Sequence, residues 1–282
     1  MCEAYGSERF TGRAGYYEKG RPEYAADMIN DMVSGMLQKH QKMNSGTASV
    51  FDKAEEQEKT AFTIADIGAG TGKFTKQLLE ALDGTGTAAD IFCVEPNNDM
   101  RMAAKEKLSQ YANCHIVNGS AADTTLAGGS VDYVTAAQAF HWFNVEQFRF
   151  ECGRILKNGG TAFLIWNIRD MQTGFVQELC DIYKKYCPLF TGLSGGIERD
   201  DKRIGAFFTD GYTRKEYPND ITYTKESFID RSLSASYSLR PQDELFQEYR
   251  AELEKLFDSY ADDGVAVMSN KTVVYSGKMG RE

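Results

Sequence analysis

Gly68, Gly70 and Gly72 stand at alternate positions in the run Ile64-Ala65-Asp66-Ile67-Gly68-Ala69-Gly70-Thr71-Gly72-Lys73-Phe74. An apolar stretch ends there and an amphipathic one begins, so the glycines mark a strand-to-helix turn. Glycine permits backbone angles closed to other residues and lets a ligand lie against the main chain. The helix start adds N–H groups that have no partner within the helix, and open parallel sheets take ligands beyond the carboxyl ends of their strands. A nucleoside cofactor suits such a turn. Dinucleotide binding calls for G-x-G-x-x-G, but the sixth position from Gly68 is Lys73, so the spacing departs from the oxidoreductase fingerprint. Three glycines alone would also serve a plain tight turn.

Acidic residues change that balance. Glu95 closes the next apolar strand, IFCVE at 91–95, where its carboxylate can accept both hydroxyls of a ribose lying across the sheet edge. Asp123, in GSAADTTLAGGSVDYV, follows the third strand and can accept a hydrogen bond from an adenine amino group.

The elements that must position these groups follow from the hydrophobic pattern. From Pro22 to Gln38, apolar residues at spacing four (Tyr24, Met28, Met32, Met36 beside Ala25, Ile29, Val33, Leu37) predict one helix with proline in its first turn. His40 to Thr60 is polar and without period, the mark of a flexible insertion. Strand FTIADI (62–67) precedes a helix burying Phe74, Leu78 and Leu82. Strand 91–95 precedes one with Met100, Ala103, Ala104, Leu108 and Tyr111. Strands at 114–117 and 131–136, a helix with Val145, Phe148, Cys152 and Ile155, and a strand at 161–166 continue the alternation. Strands alternating with helices predict a parallel sheet covered on both faces. A strong helix carries Leu245, Phe246, Tyr249, Leu253, Leu256, Phe257 and Tyr260, and KTVVYSGK at 271–278 reads as an antiparallel last strand at the sheet edge.

The 282 residues, 42% of them hydrophobic, suffice for a substantial core. A formal net charge of −9 disfavours a phosphate backbone as partner. The start, MCEAYGSERF, shows no apolar signal segment, and no run approaches the about 18 apolar residues a membrane span needs, so a cytoplasmic location without membrane attachment is expected. Six scattered cysteines (2, 93, 114, 152, 180 and 187) contain no C-x-x-C pair, so neither a disulfide framework nor a metal site is expected.

Taken together, DIGAGTGKF, CVEPNNDM, GSAADTTLAGGSVDYV and RILKNGGTAFLIW resemble, in order, four motifs of the class I S-adenosylmethionine-dependent methyltransferases. Within that class the chain is similar to the type 11 group related to ubiquinone-pathway and trans-aconitate methyltransferases. The resemblance implies a Rossmann-like, doubly wound, seven-stranded sheet, mostly parallel with an antiparallel last strand, plus a helical lid. It implies an N-terminal helical lid segment at 1–40, the flexible insertion at 41–60, the cofactor-binding core at 61–170, and at 171–282 a substrate-side lid with the helix and strand that complete the sheet. It further implies that S-adenosyl-L-methionine is the cofactor, with Gly68, Ala69 and Gly70 lining its methionine and ribose portions and Asp66 organising the loop. Glu95 would hold the ribose hydroxyls, with Pro96 and Met100 of the same motif nearby, and Ala122 and Asp123 would contact adenine. The stretch Tyr16 to Tyr24 is similar to a segment that folds over the cofactor, placing Tyr16 and Arg21 near the methionine end; Arg21 at a solvated helix start is the competing reading. Two positions depart from the family pattern: Ala122 stands where relatives often carry an acid, and Asn158 replaces a usual proline.

After strand four, Ala137-Gln138-Ala139-Phe140-His141-Trp142-Phe143 belongs at the mouth where the methyl would sit, with Gln138 on the cofactor side. Aromatic faces can stabilise a sulfonium and exclude water. His141 is either a base or acceptor contact, or a structural histidine packed under the loop. No Asn/Asp-Pro-Pro-Tyr element occurs there and no Pro-Cys nucleophile follows, which with the acidic balance favours a small-molecule acceptor over nucleic acid. Arg169, Arg199 and Arg203 near the lid raise a carboxylate oxygen as the target, against solvated surface arginines. A nicotinamide-type oxidoreductase and a non-catalytic adenosyl-cofactor-binding protein are the competing functions, and either a monomer or a homodimer is compatible.

Overall fold

A computed structural model of the chain describes residues 22–45, 62–193 and 201–279. The expectations placed on Tyr16, Arg21, Arg199 and most of the polar insertion lie outside the described residues.

The first helix, α1 (Ala26–Ser45), buries Met28, Ile29, Met32, Val33 and Met36 along one stripe. It begins four residues later than the proline suggests. The Tyr24 N–H bonds Gln77 Oε1 at 2.9 Å and the Ala25 N–H bonds Thr272 Oγ1 at 3.0 Å, so side chains from elsewhere capture this backbone before it coils. The helix also runs to Ser45, five residues into the stretch expected to be a flexible insertion; Gln41, Lys42 and Met43 there are good helix formers that extend a helix already nucleated.

The core alternates as the pattern requires: β1 (Phe62–Ile67), α2 (Lys73–Asp83), β2 (Ala89–Val94), α3 (Asn98–Lys107), β3 (Cys114–Val117), β4 (Val131–Ala137), α4 (Val145–Ile155) and β5 (Leu156–Arg169). Then come α5 (Gly174–Tyr186), α6 (Lys202–Phe207), β6 (Thr213–Pro218), β7 (Ile221–Thr224), α7 (Lys225–Leu233), α8 (Phe246–Tyr260), β8 (Val265–Met268) and β9 (Asn270–Lys278). The main sheet has seven strands in the order β3-β2-β1-β4-β5-β9-β6, parallel except for β9, which runs antiparallel to both β5 and β6. The last strand is therefore not the edge. That place falls to β6, whose sequence TRKEYP is polar and ends in proline, traits that fit an edge strand and hide it from a hydrophobic-pattern reading.

One face of the sheet is covered by α1 and α2, with Phe74, Leu78 and Leu82 packed on Ile64, Ile91 and Tyr133. The other face is covered by α4 and α6, with Phe148, Cys152, Ile155 and Phe207 against Phe140, Trp166 and Tyr275. A third apolar cluster joins α5, α7, α8 and the β7–β8 hairpin around Tyr183, Phe228, Tyr249 and Phe257. Its connections leave from the carboxyl end of β5, the carboxyl end of β6 and the amino end of β9. All three lie at the same rim of the sheet, so this module stands over the carboxyl ends of the parallel strands, where the glycine turn also lies.

Candidate active site

Gly68, Gly70 and Gly72 all adopt left-handed backbone conformations, with φ of 70°, 58° and 74°. A Cβ on Gly68 would sit 2.7 Å from the Ala139 Cβ, so only glycine lets this turn pass beneath the segment after β4. The N–H groups of Gly68 and Ala69 both bond Val94 O, at 2.8 and 3.2 Å, and the Gly70 N–H reaches Glu95 Oε2 at 3.0 Å.

Glu95 is nearly buried, 8% exposed, and its other oxygen accepts the Asn97 N–H at 2.9 Å. Burial pushes its pKa above the usual carboxylate value, against the pull of those two N–H groups and of Arg101. Arg101 bonds the Glu95 and Pro96 carbonyl oxygens and so fixes the turn into α3, which Asn97 caps through the N–H of buried Met100. Beneath the loop, Asp66 is 1% exposed and accepts hydroxyls from Thr75 of α2 (2.7 Å) and Thr135 of β4 (2.9 Å). Desolvation lifts it to about 6. It ties three elements together at the point where the loop begins.

The loop after β3 is held from below. Glu151 of α4, buried and paired with Arg154, accepts the Thr124 N–H at 2.7 Å and the Thr124 hydroxyl at 2.5 Å. Its two bonds to Arg154 and two to Thr124 hold the carboxyl below its usual pKa despite burial. Ser120 accepts the N–H groups of Ala122 and Asp123, and the exposed Asp123 uses Oδ1 on the Thr125 N–H. Glu151 is thus a positioning residue for this loop. A glutamate in mid-helix carries no sequence signal for that task beyond the oddity of an acid on a helix's apolar side.

A cleft of about 660 Å³, part of it open to solvent, runs from the glycine turn to the helical module. Asp66, Gly68, Ala69, Ala137 and Gln138 line one end, and Arg169, Ile221, Tyr223, Arg231 and Asn270 the other. Glu95, Pro96, Met100, Ala122 and Asp123 stand beyond the glycine turn, at the ends of β2 and β3, outside this cleft. Gln138 has φ of 53°, a left-handed value uncommon for a side-chain-bearing residue. The Ile165 carbonyl holds its N–H at 2.8 Å and the Asn167 carbonyl holds its Nε2 at 3.0 Å. His141 is half-buried in a 3₁₀ turn (Phe140–Trp142), its ring tilted against Trp142, and is not among the residues that line the cleft.

The arginines separate sharply. Arg203 is paired with Asp201 at 2.7 Å. Arg169, the last residue of β5, is 8% exposed and lines the cleft, with no carboxylate partner among the described residues. The sequence does not single out Tyr223, in the four-residue β7, or Asn270, the first residue of β9, as site residues.

The fit of an adenosyl cofactor can be tested on the donor and acceptor inventory. Each Glu95 oxygen spends one lone pair on a backbone N–H and keeps one. Two adjacent ribose hydroxyls, both donors, match what remains, and the main chain at Gly68 to Gly70 has no side chain but a methyl to hold a ligand away.

A family model described as "Methyltransferase domain" matches residues 65–164. An uncharacterized methyltransferase of Mycobacterium tuberculosis is 29% identical over 231 residues, spanning 82% of this chain and 77% of that protein. An uncharacterized methyltransferase-like protein of Schizosaccharomyces pombe is 34% identical over 193 residues, covering 67% and 64%. Among solved structures, a candidate type II methyltransferase from Anaeromyxobacter dehalogenans aligns with a TM-score of 0.56 at 15% identity, over 93% of this chain and 99% of that one, a likeness of fold.

Proposed function

Since the chain belongs to the S-adenosylmethionine-dependent methyltransferases of type 11, we propose that it methylates a small organic acid. The observation that carries the choice of acceptor is Arg169, a buried guanidinium without a carboxylate partner among the described residues, at the far end of the cleft from the glycine turn.

When bound, S-adenosylmethionine supplies a methyl on a sulfonium sulfur, which keeps the bonding electron pair and departs as a neutral thioether. Glu95 would hold the ribose hydroxyls, with Gly68, Ala69 and Gly70 against the methionine and ribose portions. Met100 and Pro96 would flank the ribose, and Ala122 and Asp123 would meet the adenine. Gln138, pinned by two carbonyls, presents a fixed wall between cofactor and acceptor. Alignment and exclusion of water supply most of the acceleration in such a displacement. A carboxylate oxygen suits this site because it accepts the methyl with no proton to remove, and no base then has to line the cleft. His141 in its 3₁₀ turn keeps a supporting role in packing the segment after β4.

The test is calorimetric titration with S-adenosylmethionine, S-adenosylhomocysteine and NADH, then methyl-labelled transfer to a panel of carboxylic acids. Adenosyl binding that weakens about 100-fold in Glu95→Ala, from two lost charge-assisted hydrogen bonds, is expected. NADH binding without adenosyl binding would overturn the reading.

A further inference from the structure

Of the charged side chains that line the cleft among the described residues, Lys73, Arg169 and Arg231 are basic and Asp66 alone is acidic. Asp66 is already committed to two threonine hydroxyls. The positive excess is greatest at the module end. There Arg169 sits opposite Asn270 in the β5–β9 register, which sets the two side chains on one face of the sheet. The Asn270 Nδ2 is buried and has no hydrogen-bond partner among the described residues, and the same holds for the Tyr223 hydroxyl, on a residue 4% exposed. The titratable groups that act most strongly on Arg169 are Tyr183, Tyr223, Tyr237 and Cys180, none of them a carboxylate. Burial pushes the Tyr183 phenol up in pKa and the Cys180 thiol likewise, so neither supplies a negative charge at neutral pH.

A buried guanidinium with no carboxylate partner among the described residues, beside a buried amide N–H and a buried phenol that lack hydrogen-bond partners among them, forms a set of donors that a neutral ligand would leave uncompensated. A planar carboxylate satisfies them: the guanidinium takes it in a two-pronged fashion and the other two donors reach the remaining lone pairs. A carboxylate gripped in this way is a poor nucleophile, because the lone pairs it would offer to a methyl group are engaged. Esterifying it would also return Arg169 to its uncompensated state.

Resting on the methyltransferase reading above, we propose that Arg169, Tyr223 and Asn270 form an anchoring subsite for a carboxylate of the acceptor that is not the group methylated. The acceptor therefore carries at least two functional groups, and the product leaves with its anchoring carboxylate still ionised.

The test uses the full chain saturated with S-adenosylhomocysteine and titrated with glutarate, monomethyl glutarate and dimethyl glutarate as probes. Glutarate and its monomethyl ester should bind within a few-fold of each other, and the dimethyl ester at least 10-fold more weakly. Arg169→Gln should weaken glutarate at least 10-fold and leave S-adenosylhomocysteine affinity unchanged; Arg169→Lys should recover part of the loss. Tyr223→Phe, which keeps the ring and its packing, should cost a few-fold. The proposal falls if the dimethyl ester binds as well as glutarate or if no probe acid binds. It falls too if Arg169→Gln weakens S-adenosylhomocysteine by the same factor, which would assign the subsite to the cofactor's own carboxylate. If S-adenosylhomocysteine does not bind the wild-type protein, the methyltransferase reading fails separately, and glutarate titration of the ligand-free protein still decides the subsite.

Discussion

The two ends of the strand rim are built on opposite principles. At the β1–β2–β3 end, polar groups are satisfied before any ligand arrives: Glu95 holds two backbone N–H groups, Asp66 two hydroxyls, and Glu151 both donors of Thr124. At the β5–β9 end, among the described residues, Tyr223 and Asn270 are buried with a polar atom unpartnered and buried Arg169 has no carboxylate beside it. A region satisfied in advance is rigid and ready for a ligand of fixed shape. A region left unsatisfied holds free energy in reserve, released only by a ligand that brings the missing charge.

That contrast can be broken or sharpened, beginning with the largest effect. Gly68→Val places a branched side chain at φ 70° and against Ala139. Strain and overpacking together should cost about 4 kcal/mol, read as a fall in the urea midpoint with loss of adenosyl binding. Asp66→Asn tests the satisfied end by pH. A carboxyl lifted from 3.8 to about 6 binds its proton more tightly in the folded state. It therefore favours folding below pH 4, and that contribution, about 3 kcal/mol, is lost as pH rises through 6. The difference in unfolding free energy between variant and wild type should accordingly swing in the variant's favour between pH 4 and 7; a difference independent of pH would remove Asp66 as the titrating group.

At the unsatisfied end the sign reverses. Arg169→Met should stabilise the ligand-free protein, by about 1 kcal/mol, because it removes a buried uncompensated cation while keeping the volume. A lower melting temperature would show that the arginine has a structural partner and erase the contrast. Smallest of all, Arg203→Gln removes an arginine already paired with Asp201 and 40% exposed, and should shift stability by less than about 1 kcal/mol and acid binding not at all.

The satisfied end was the part legible in the sequence. Its chemistry is carried by backbone turns, and turns leave a local signature in Gly68, Gly70 and Gly72 and in Glu95 at a strand's end. FTIADI predicted β1 to the residue, because a strand buried on both faces is mostly apolar, here at four of its six positions. The other end is assembled from β5, β7 and β9, with Arg169, Tyr223 and Asn270 up to about a hundred positions apart in the chain. The sequence offered Arg169 only as one of three arginines, since burial is a tertiary property. The edge strand β6 went unseen because most of its surface faces water, and the left-handed backbone of Gln138, a residue the sequence did place at the site, because no residue preference announces it.

The position of β9 has a consequence for synthesis. This strand, residues 270–278, lies between β5 and β6 and is hydrogen-bonded to both. Until residue 278 has left the ribosome, β5 presents an unpaired edge beside Trp166 and Ile165, and β6 has nowhere to attach. The nascent chain must therefore carry an adhesive, half-built sheet through the translation of about a hundred residues. Such an intermediate is a natural client for a chaperone and prone to misassembly with its own kind.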